Sequence, residues 1–125
     1  MRYLLDTHAF LWWVLDDPQL SATARKVVAD DGAEVFVSVV TAWEVIIKQQ
    51  AGKEVDLERL FPGQLLQNGF QALPVTLDHV RGLASLPPLH KDPFDRLLIG
   101  QAISDRCTLI TNDHLVRQYA VASLW

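Results

Sequence analysis

The sequence has few of the features that are typical of secreted or membrane proteins, such as paired cysteines and long apolar runs. Cysteine occurs once in 125 residues, at Cys107, which excludes an internal disulfide; its apolar setting indicates a buried thiol in a reducing compartment. No apolar run is long enough to span a bilayer, and the N-terminal segment has no small-residue cleavage site typical of a signal peptide. These absences predict a cytoplasmic protein.

The chain also lacks internal boundaries and an excess of basic residues. No Pro/Gly/Ser-rich stretch, repeat or low-complexity segment divides it, and 50% of its residues are hydrophobic, so we predict one domain over residues 1–125. The formal net charge is −4, whereas nucleic-acid-binding proteins usually carry a basic surface. Bound divalent cations would offset this charge, so net charge alone leaves the partner open.

Short apolar strands alternate with helices along the chain. Strands are predicted at residues 2–5, 34–37, 71–75, 108–111 and 121–124. Helices are predicted at residues 7–15, 21–31, 56–68 and 92–106. Others are predicted from a cap at Ser38 or Thr41 to Ala51, for about two turns after Thr76, and from Asn112 or Asp113 to Tyr119. Pro62 and Gly63 indicate a break in the helix over 56–68. The alternation predicts an α/β fold, with a parallel sheet covered by helices on both faces.

Two acidic residues follow predicted strands. Asp6 comes directly after the first strand, and Asp113 follows the fourth by two residues. In parallel sheets, ligands bind beyond the carboxyl ends of the strands, where the strand order reverses. If the first and fourth strands are neighbours at that point, both carboxylates face one crevice. Either residue could instead be a helix N-cap.

Glu44 lies on a predicted helix among apolar residues. Its neighbours at helical spacing are Val40, Ile47 and Ala51. A carboxylate on such a face costs free energy unless it is paired or binds a metal. The alternative is a surface ion pair with Lys48.

The segment around Asp92 and Asp95 is a strong helix start. Asp92 is predicted at the N-cap, with Pro93 in the first turn. Asp95 could complete a capping box by accepting a hydrogen bond from the N-cap amide, or it could bind a metal at the helix terminus. Local sequence leaves both interpretations open.

Together, these acids favour a shared cation. Carboxylates in one small site raise each other's pKa values, and a divalent cation removes that penalty. Oxygen-only ligands favour Mg²⁺ or Mn²⁺ over Zn²⁺. The histidines form no zinc pattern and are interpreted as surface residues or as supports of a ligand. They are His8, His79, His90 and His114.

Four segments carry these acids. They are residues 4–8 (LLDTH), 42–48 (AWEVIIK), 90–99 (HKDPFDRLLI) and 109–113 (LITND). In this order and spacing they resemble the PIN domain, and most closely the VapC-type toxins of bacterial and archaeal toxin–antitoxin pairs. The resemblance extends over nearly the whole chain, and its third segment is the most distinctive.

The resemblance implies a three-layer α/β/α sandwich with a central parallel sheet. It also implies an Mg²⁺- or Mn²⁺-dependent endoribonuclease, the toxin of a type II toxin–antitoxin system. By position, the family's catalytic and metal-binding acids fall on Asp6, Glu44, Asp95 and Asp113, with Asp6 and Asp95 the most direct ligands. Thr111 matches a hydroxyl position near the site. The implied partners are an RNA substrate, a second copy in a homodimer, and an antitoxin protein encoded by an adjacent gene.

Two other classes are weighed against this one. A PIN-like module that binds RNA or protein without cutting would normally have lost one of the acids. A signalling receiver is also a small parallel α/β domain with clustered acids, but it requires an Asp directly after the third strand and a late Lys. Here the next Asp is Asp78, inside a predicted helix, and no Lys follows Lys91.

Overall fold

Strands and helices alternate through the residues that the computed structural model describes, 1–50 and 56–125. The strands are β1 (Arg2–Leu5), β2 (Glu34–Ser38), β3 (Gln71–Leu73), β4 (Thr108–Ile110) and β5 (Ser123–Leu124). The helices are α1 (Thr7–Val14), α2 (Ala22–Val28), α3 (Val39–Gln50), α4 (Leu65–Asn68), α5 (Leu77–Gly82), α6 (Pro93–Ser104) and α7 (His114–Arg117). Arg59–Gln64 forms a π-helical turn and Leu83–Ser85 a 3₁₀ turn.

The strands form one sheet in the order β3-β2-β1-β4-β5, and every neighbouring pair is parallel. At its centre, Leu4 of β1 is in register with Phe36 of β2 and Leu109 of β4. The chain adds β2 and β3 on one side of β1, then returns to add β4 and β5 on the other. The strand order therefore reverses between β1 and β4, which confirms the predicted adjacency of the first and fourth strands.

Separate apolar clusters cover the two faces of the sheet. Successive side chains of a strand face opposite sides, and on β1 Tyr3 and Leu5 belong to one cluster and Leu4 to the other. The first cluster includes residues of α1, α2 and α4, and the second includes residues of α6 and α7. The predicted α/β class, with helices on both faces, is confirmed. In the described parts of the chain, no helix has the length and apolar character needed to cross a membrane.

The structure confirms the predicted break in the helix over 56–68, and several other elements are shorter than predicted. Phe61 has an extended backbone (φ −131°, ψ 107°), because the residue before a proline is sterically disfavoured from helical geometry, and this interrupts the helix where Pro62 and Gly63 indicate a break. Strand β3 ends before Pro74, which has no N–H to donate to the sheet. Strand β5 has two residues rather than four. The predicted end of α3 near Ala51 lies outside the described residues.

Gly100 allows helices α5 and α6 to pack closely. A Cβ at this position would lie 3.2 Å from the carbonyl oxygen of His79 and 3.3 Å from Leu83 Cδ2. We expect Gly100→Val to lower the free energy of unfolding by about 1–3 kcal/mol, because the side chain would force the helices apart. Gly82→Ala is the control, since nothing lies within 4 Å of its added Cβ. Urea unfolding compares them, and an unchanged midpoint for Gly100→Val would contradict this packing.

Candidate metal centre

Asp6 and Asp113 lie where the strand order reverses. The amide of Asp6 donates to the Ile110 carbonyl at 3.1 Å, which extends the pairing of β1 with β4. Its Oδ1 accepts from the amide of Ala9 at 2.8 Å and caps α1. Oδ1 of Asp113 caps α7 in the same way, accepting from the amide of Leu115 at 2.9 Å. The predicted capping alternative is therefore correct for both residues, and it uses one oxygen of each carboxylate.

Thr111 links these two acids. Its fully buried hydroxyl accepts from the amide of Asp113 at 3.1 Å, which leaves the hydroxyl proton for the carboxylate of Asp6. Burial raises the pKa of Asp6 above its ordinary value, and the Thr111 hydrogen bond partly opposes that increase. The charge of Asp113 raises the pKa of Asp6 further. The carboxyl ends of β1 and β4 thus hold two acids close enough to affect each other.

Glu44 reaches the same region from α3 and is 7% exposed. Its Oε1 accepts a hydrogen bond from Thr7 Oγ1 at 2.7 Å, and its Oε2 forms an ion pair with Lys48 Nζ at 2.9 Å. The predicted alternative, a Glu44–Lys48 pair, is present, although the glutamate is buried rather than on the surface. Both carboxylate oxygens already have partners within the protein.

Asp95 lies in the first turn of α6, which Asp92 caps. Oδ1 of Asp92 accepts from the amides of Phe94 and Asp95, at 2.9 and 3.2 Å. The capping-box alternative fails for Asp95, because its carboxylate accepts no hydrogen bond from any described residue. Its Oδ2 lies 3.6 Å from His90 Nε2. Among the four predicted acids, Asp95 is thus the least constrained by the fold.

The pKa of Asp95 reflects the closeness of these acids. It is raised from 3.8 to about 7, first by burial and then by the negative charges of Asp92, Asp6, Glu44 and Asp113. The four predicted acids therefore act on one another electrostatically, although they are up to 107 residues apart in sequence (from Asp6 to Asp113). No group of three or more His, Cys, Asp or Glu side chains in residues 1–50 and 56–125 is already arranged to hold a metal ion. The capping and ion-pair contacts explain why three of the four carboxylates are turned to protein partners.

A small cleft of about 160 Å³ opens beside two of these acids, Asp6 and Asp113. It is lined by Asp6, His8, Trp12, Asn112 and Asp113. A larger cavity of about 490 Å³, next to Asp30 and Gly69, lies at the opposite edge of the sheet and is lined by none of the four acids. The acidic side chains and their cleft therefore lie at the carboxyl edge of the sheet, where parallel sheets bind ligands.

Comparison with known proteins identifies the family of this fold. The family model for the PIN domain matches residues 3–122. The chain belongs to the PIN-domain family. No curated protein sequence matches it significantly.

The fold of this PIN domain is similar to that of three solved structures. VapBC2 from Rickettsia felis, bound to a DNA fragment from its promoter, matches 99% of this chain and 98% of its own, with 15% identity and a TM-score of 0.73. VapBC-1 from nontypeable Haemophilus influenzae matches 99% and 97%, with 17% identity and a TM-score of 0.63. FitAB bound to an IR36 DNA fragment matches 98% and 93%, with 17% identity and a TM-score of 0.63. At these identities the likeness shows a shared fold alone.

Sequence reasoning missed two buried hydroxyl groups of this PIN domain. Thr7 donates to Glu44, and its Oγ1 also lies 3.2 Å from Oγ1 of Thr41. Both threonines are at most 2% exposed. Thr41 precedes Glu44 by one helical turn, so helical spacing could have indicated it. Thr7 directly follows Asp6, but its contact with α3 depends on how the helices pack.

Proposed function

We propose that this PIN domain is a metal-dependent endoribonuclease, the toxin of a type II toxin–antitoxin pair, which hydrolyses RNA phosphodiester bonds at Asp6, Glu44, Asp95 and Asp113. The observation that carries the proposal is the placement of these acids at and beside the carboxyl ends of β1 and β4, close enough that their charges, together with burial, raise the pKa of Asp95 to about 7. Carboxylates held close together repel one another and destabilise the fold unless a positive charge binds among them.

The donor set fits Mg²⁺ or Mn²⁺. Carboxylate and hydroxyl oxygens are hard ligands, which these ions prefer, and the four proposed ligands are all carboxylates. Asp6 and Asp95 are the direct ligands in this proposal, because Asp6 retains an oxygen beyond its cap and the carboxylate of Asp95 has no hydrogen bond to a described residue that it would lose. Asp113 contributes the oxygen left free by its cap. Glu44 is already paired with Lys48. In this proposal it supplies negative charge to the site, and it becomes a ligand when the cation displaces Lys48.

In the proposed reaction, a bound cation and the side chains that hold it have different roles. A bound divalent cation would supply Lewis acidity, by which a water becomes a nucleophile near neutral pH and charge on a phosphodiester is neutralised. The caps on Asp6 and Asp113 and the hydroxyl of Thr111 would hold the carboxylates that bind that cation. No side chain is required to act as a general base. Hydrolysis is expected to leave 5′-phosphate and 3′-hydroxyl ends.

We propose protein partners of two kinds, an antitoxin and a second copy of this chain. The similarity in fold to VapBC2, VapBC-1 and FitAB supports an antitoxin partner, because each of these names denotes a pair of proteins. An apolar stripe on α3 supports a protein interface, since Val39, Trp43 and Ile47 follow one another at four-residue spacing and are 43%, 50% and 42% exposed.

Incubation of the purified protein with a mixed RNA pool tests the activity. We expect cleavage with Mg²⁺ or Mn²⁺, none with EDTA, and restored cleavage when the ion is returned in excess. Asp6→Asn, which keeps an oxygen for the α1 cap, should fold and lose cleavage. RNA binding without cleavage under both ions would instead support the non-catalytic PIN-like module. Undiminished cleavage by Asp6→Asn would remove Asp6 from the site.

A further inference from the structure

The ring of His90 has one nitrogen that forms no hydrogen bond with the described part of the chain. The side chain is 8% exposed and lies just before α6. Its Nδ1 is 3.0 Å from the hydroxyl oxygen of Tyr119, whereas its Nε2 is buried without a hydrogen-bond partner among the described residues. Asp95 Oδ2 lies 3.6 Å from this Nε2. A buried polar atom without a partner is unfavourable, so the geometry indicates a contact that is completed when Asp95 moves.

The hydroxyl of Tyr119 determines which ring nitrogen carries the proton. Its oxygen accepts from the backbone amide of His90 at 3.2 Å and from Nη1 of Arg96 at 2.8 Å. These donors occupy both acceptor positions of the oxygen, so its own proton is left for Nδ1 of His90. In a neutral imidazole with these partners, Nδ1 is the acceptor and the proton is on Nε2, the atom beside Asp95.

Further contacts of Arg96 and Tyr119 support this arrangement. Arg96 Nη1 also donates to the Pro87 carbonyl at 2.9 Å, and its guanidinium lies 5.9 Å from the centre of the Tyr119 ring. Tyr119 is 3% exposed. Arg96 thus connects α6 with the segment before it and with the residue that sets the tautomer of His90. The side chain directly after Asp95 serves this internal network rather than solvent.

We infer that His90 is a positioning residue, which donates from Nε2 to Oδ2 of Asp95 and so orients the carboxylate toward the cation site. The inference rests on the proposed function, because Asp95 is a ligand only there. A hydrogen bond requires a separation of about 3 Å, so Asp95 has to shift by only several tenths of an ångström. With Oδ2 held by His90, the other oxygen of Asp95 is left for the cation. Hydrogen-bonded partners of this kind typically change metal affinity about 10–100-fold.

The tautomer can be tested without any metal. In ¹⁵N NMR spectra of the metal-free wild-type protein, we expect His90 to be protonated at Nε2 and unprotonated at Nδ1. Asp95→Asn should shift the Nε2 resonance, while Asp113→Asn should shift it much less. A ring protonated at Nδ1, or an Nε2 resonance that is unaffected by Asp95→Asn, would overturn the inference.

The role in metal binding is tested by Mn²⁺ titration of matched variants. We expect His90→Ala and Tyr119→Phe to weaken Mn²⁺ binding about 10–100-fold, and His90→Gln, which keeps a donor amide, to weaken it less than His90→Ala. The control is His114→Ala, which removes an exposed ring next to another proposed ligand and should bind as the wild type does. In an Asp95→Asn background, His90→Ala should have no additional effect.

The outcomes separate this inference from the proposed function. If the wild type binds no Mn²⁺, the proposed metal site fails and the positioning role fails with it, while the NMR spectra still decide the His90–Asp95 contact. If the wild type binds Mn²⁺ and His90→Ala binds equally well, only the inference about His90 is wrong. Circular dichroism of each variant distinguishes weakened binding from loss of the fold.

Discussion

Asp95→Asn is expected to reduce RNA cleavage by about 100-fold or more, while making the metal-free protein more stable at pH 8. The loss of activity follows because removal of even an indirect support of a metal ligand costs about 10–100-fold, and Asp95 is proposed as a direct ligand. The gain in stability follows from the raised pKa of the Asp95 carboxyl, about 7 in the fold against 3.8 ordinarily. Thermal unfolding in EDTA and RNA cleavage with Mg²⁺ measure the two effects.

The pH dependence of that stability difference has a definite sign. The unfolded chain ionises Asp95 near pH 3.8, whereas the folded chain keeps the proton until about pH 7. The favourable contribution of the protonated carboxyl is complete below pH 3.8 and is lost as the pH rises through 7. Asp95→Asn should therefore raise the unfolding temperature at pH 8 and change it little at pH 4.

Asp92→Asn is the matched control for this variant. Asp92 lies three residues away and caps the same helix, and asparagine caps helices about as well as aspartate. It should leave cleavage near the wild-type level. Equal losses of cleavage in both variants would mean that the start of α6, rather than the Asp95 carboxylate, is what matters.

Mn²⁺ affinity is expected to fall steeply in acid, by about tenfold for each pH unit below 7 and about 100-fold between pH 8 and pH 5. The cause is competition, because the cation requires the ionised carboxylate and Asp95 holds its proton up to about pH 7. The raised pKa of Asp6 acts in the same direction. Calorimetric titration at several pH values measures the slope.

The Asp95→Asn variant also serves as the reference for this slope. It should bind Mn²⁺ more weakly at pH 8, and its affinity should depend less on pH because one competing proton has been removed. An affinity that does not change between pH 5 and pH 8 in the wild type would show that no carboxylate with a raised pKa binds the ion.

The sequence predicts the sheet well because its central strands are buried on both faces. Leu4, Leu5 and Ile110 are fully buried and belong to uninterrupted apolar runs in the sequence. The polar residues that follow these runs mark the carboxyl edge of the sheet. Asp6 and Asp113 could be placed at that edge for the same reason. The edge strand β5 is only two residues long, and so short a strand gives too little pattern to fix its limits.

The side-chain partners of the site could not be predicted in the same way. Thr7 contacts Glu44 across 37 residues of sequence, and Tyr119 contacts His90 across 29, so both contacts depend on how helices pack on the sheet. The choice between a cap and a ligand for Asp6 also required coordinates. There the structure shows that one carboxylate can cap a helix with one oxygen and keep the other for further contacts.

A crystal structure of the protein grown with Mn²⁺, with anomalous diffraction recorded for manganese, tests the shared cation most directly. We predict an anomalous peak bonded to carboxylate oxygens of Asp6 and Asp95 at the carboxyl edge of β1 and β4, and its loss in Asp95→Asn. Well-ordered Asp6 and Asp95 side chains with no peak between them at millimolar Mn²⁺, or manganese bound only elsewhere, would contradict the proposed site.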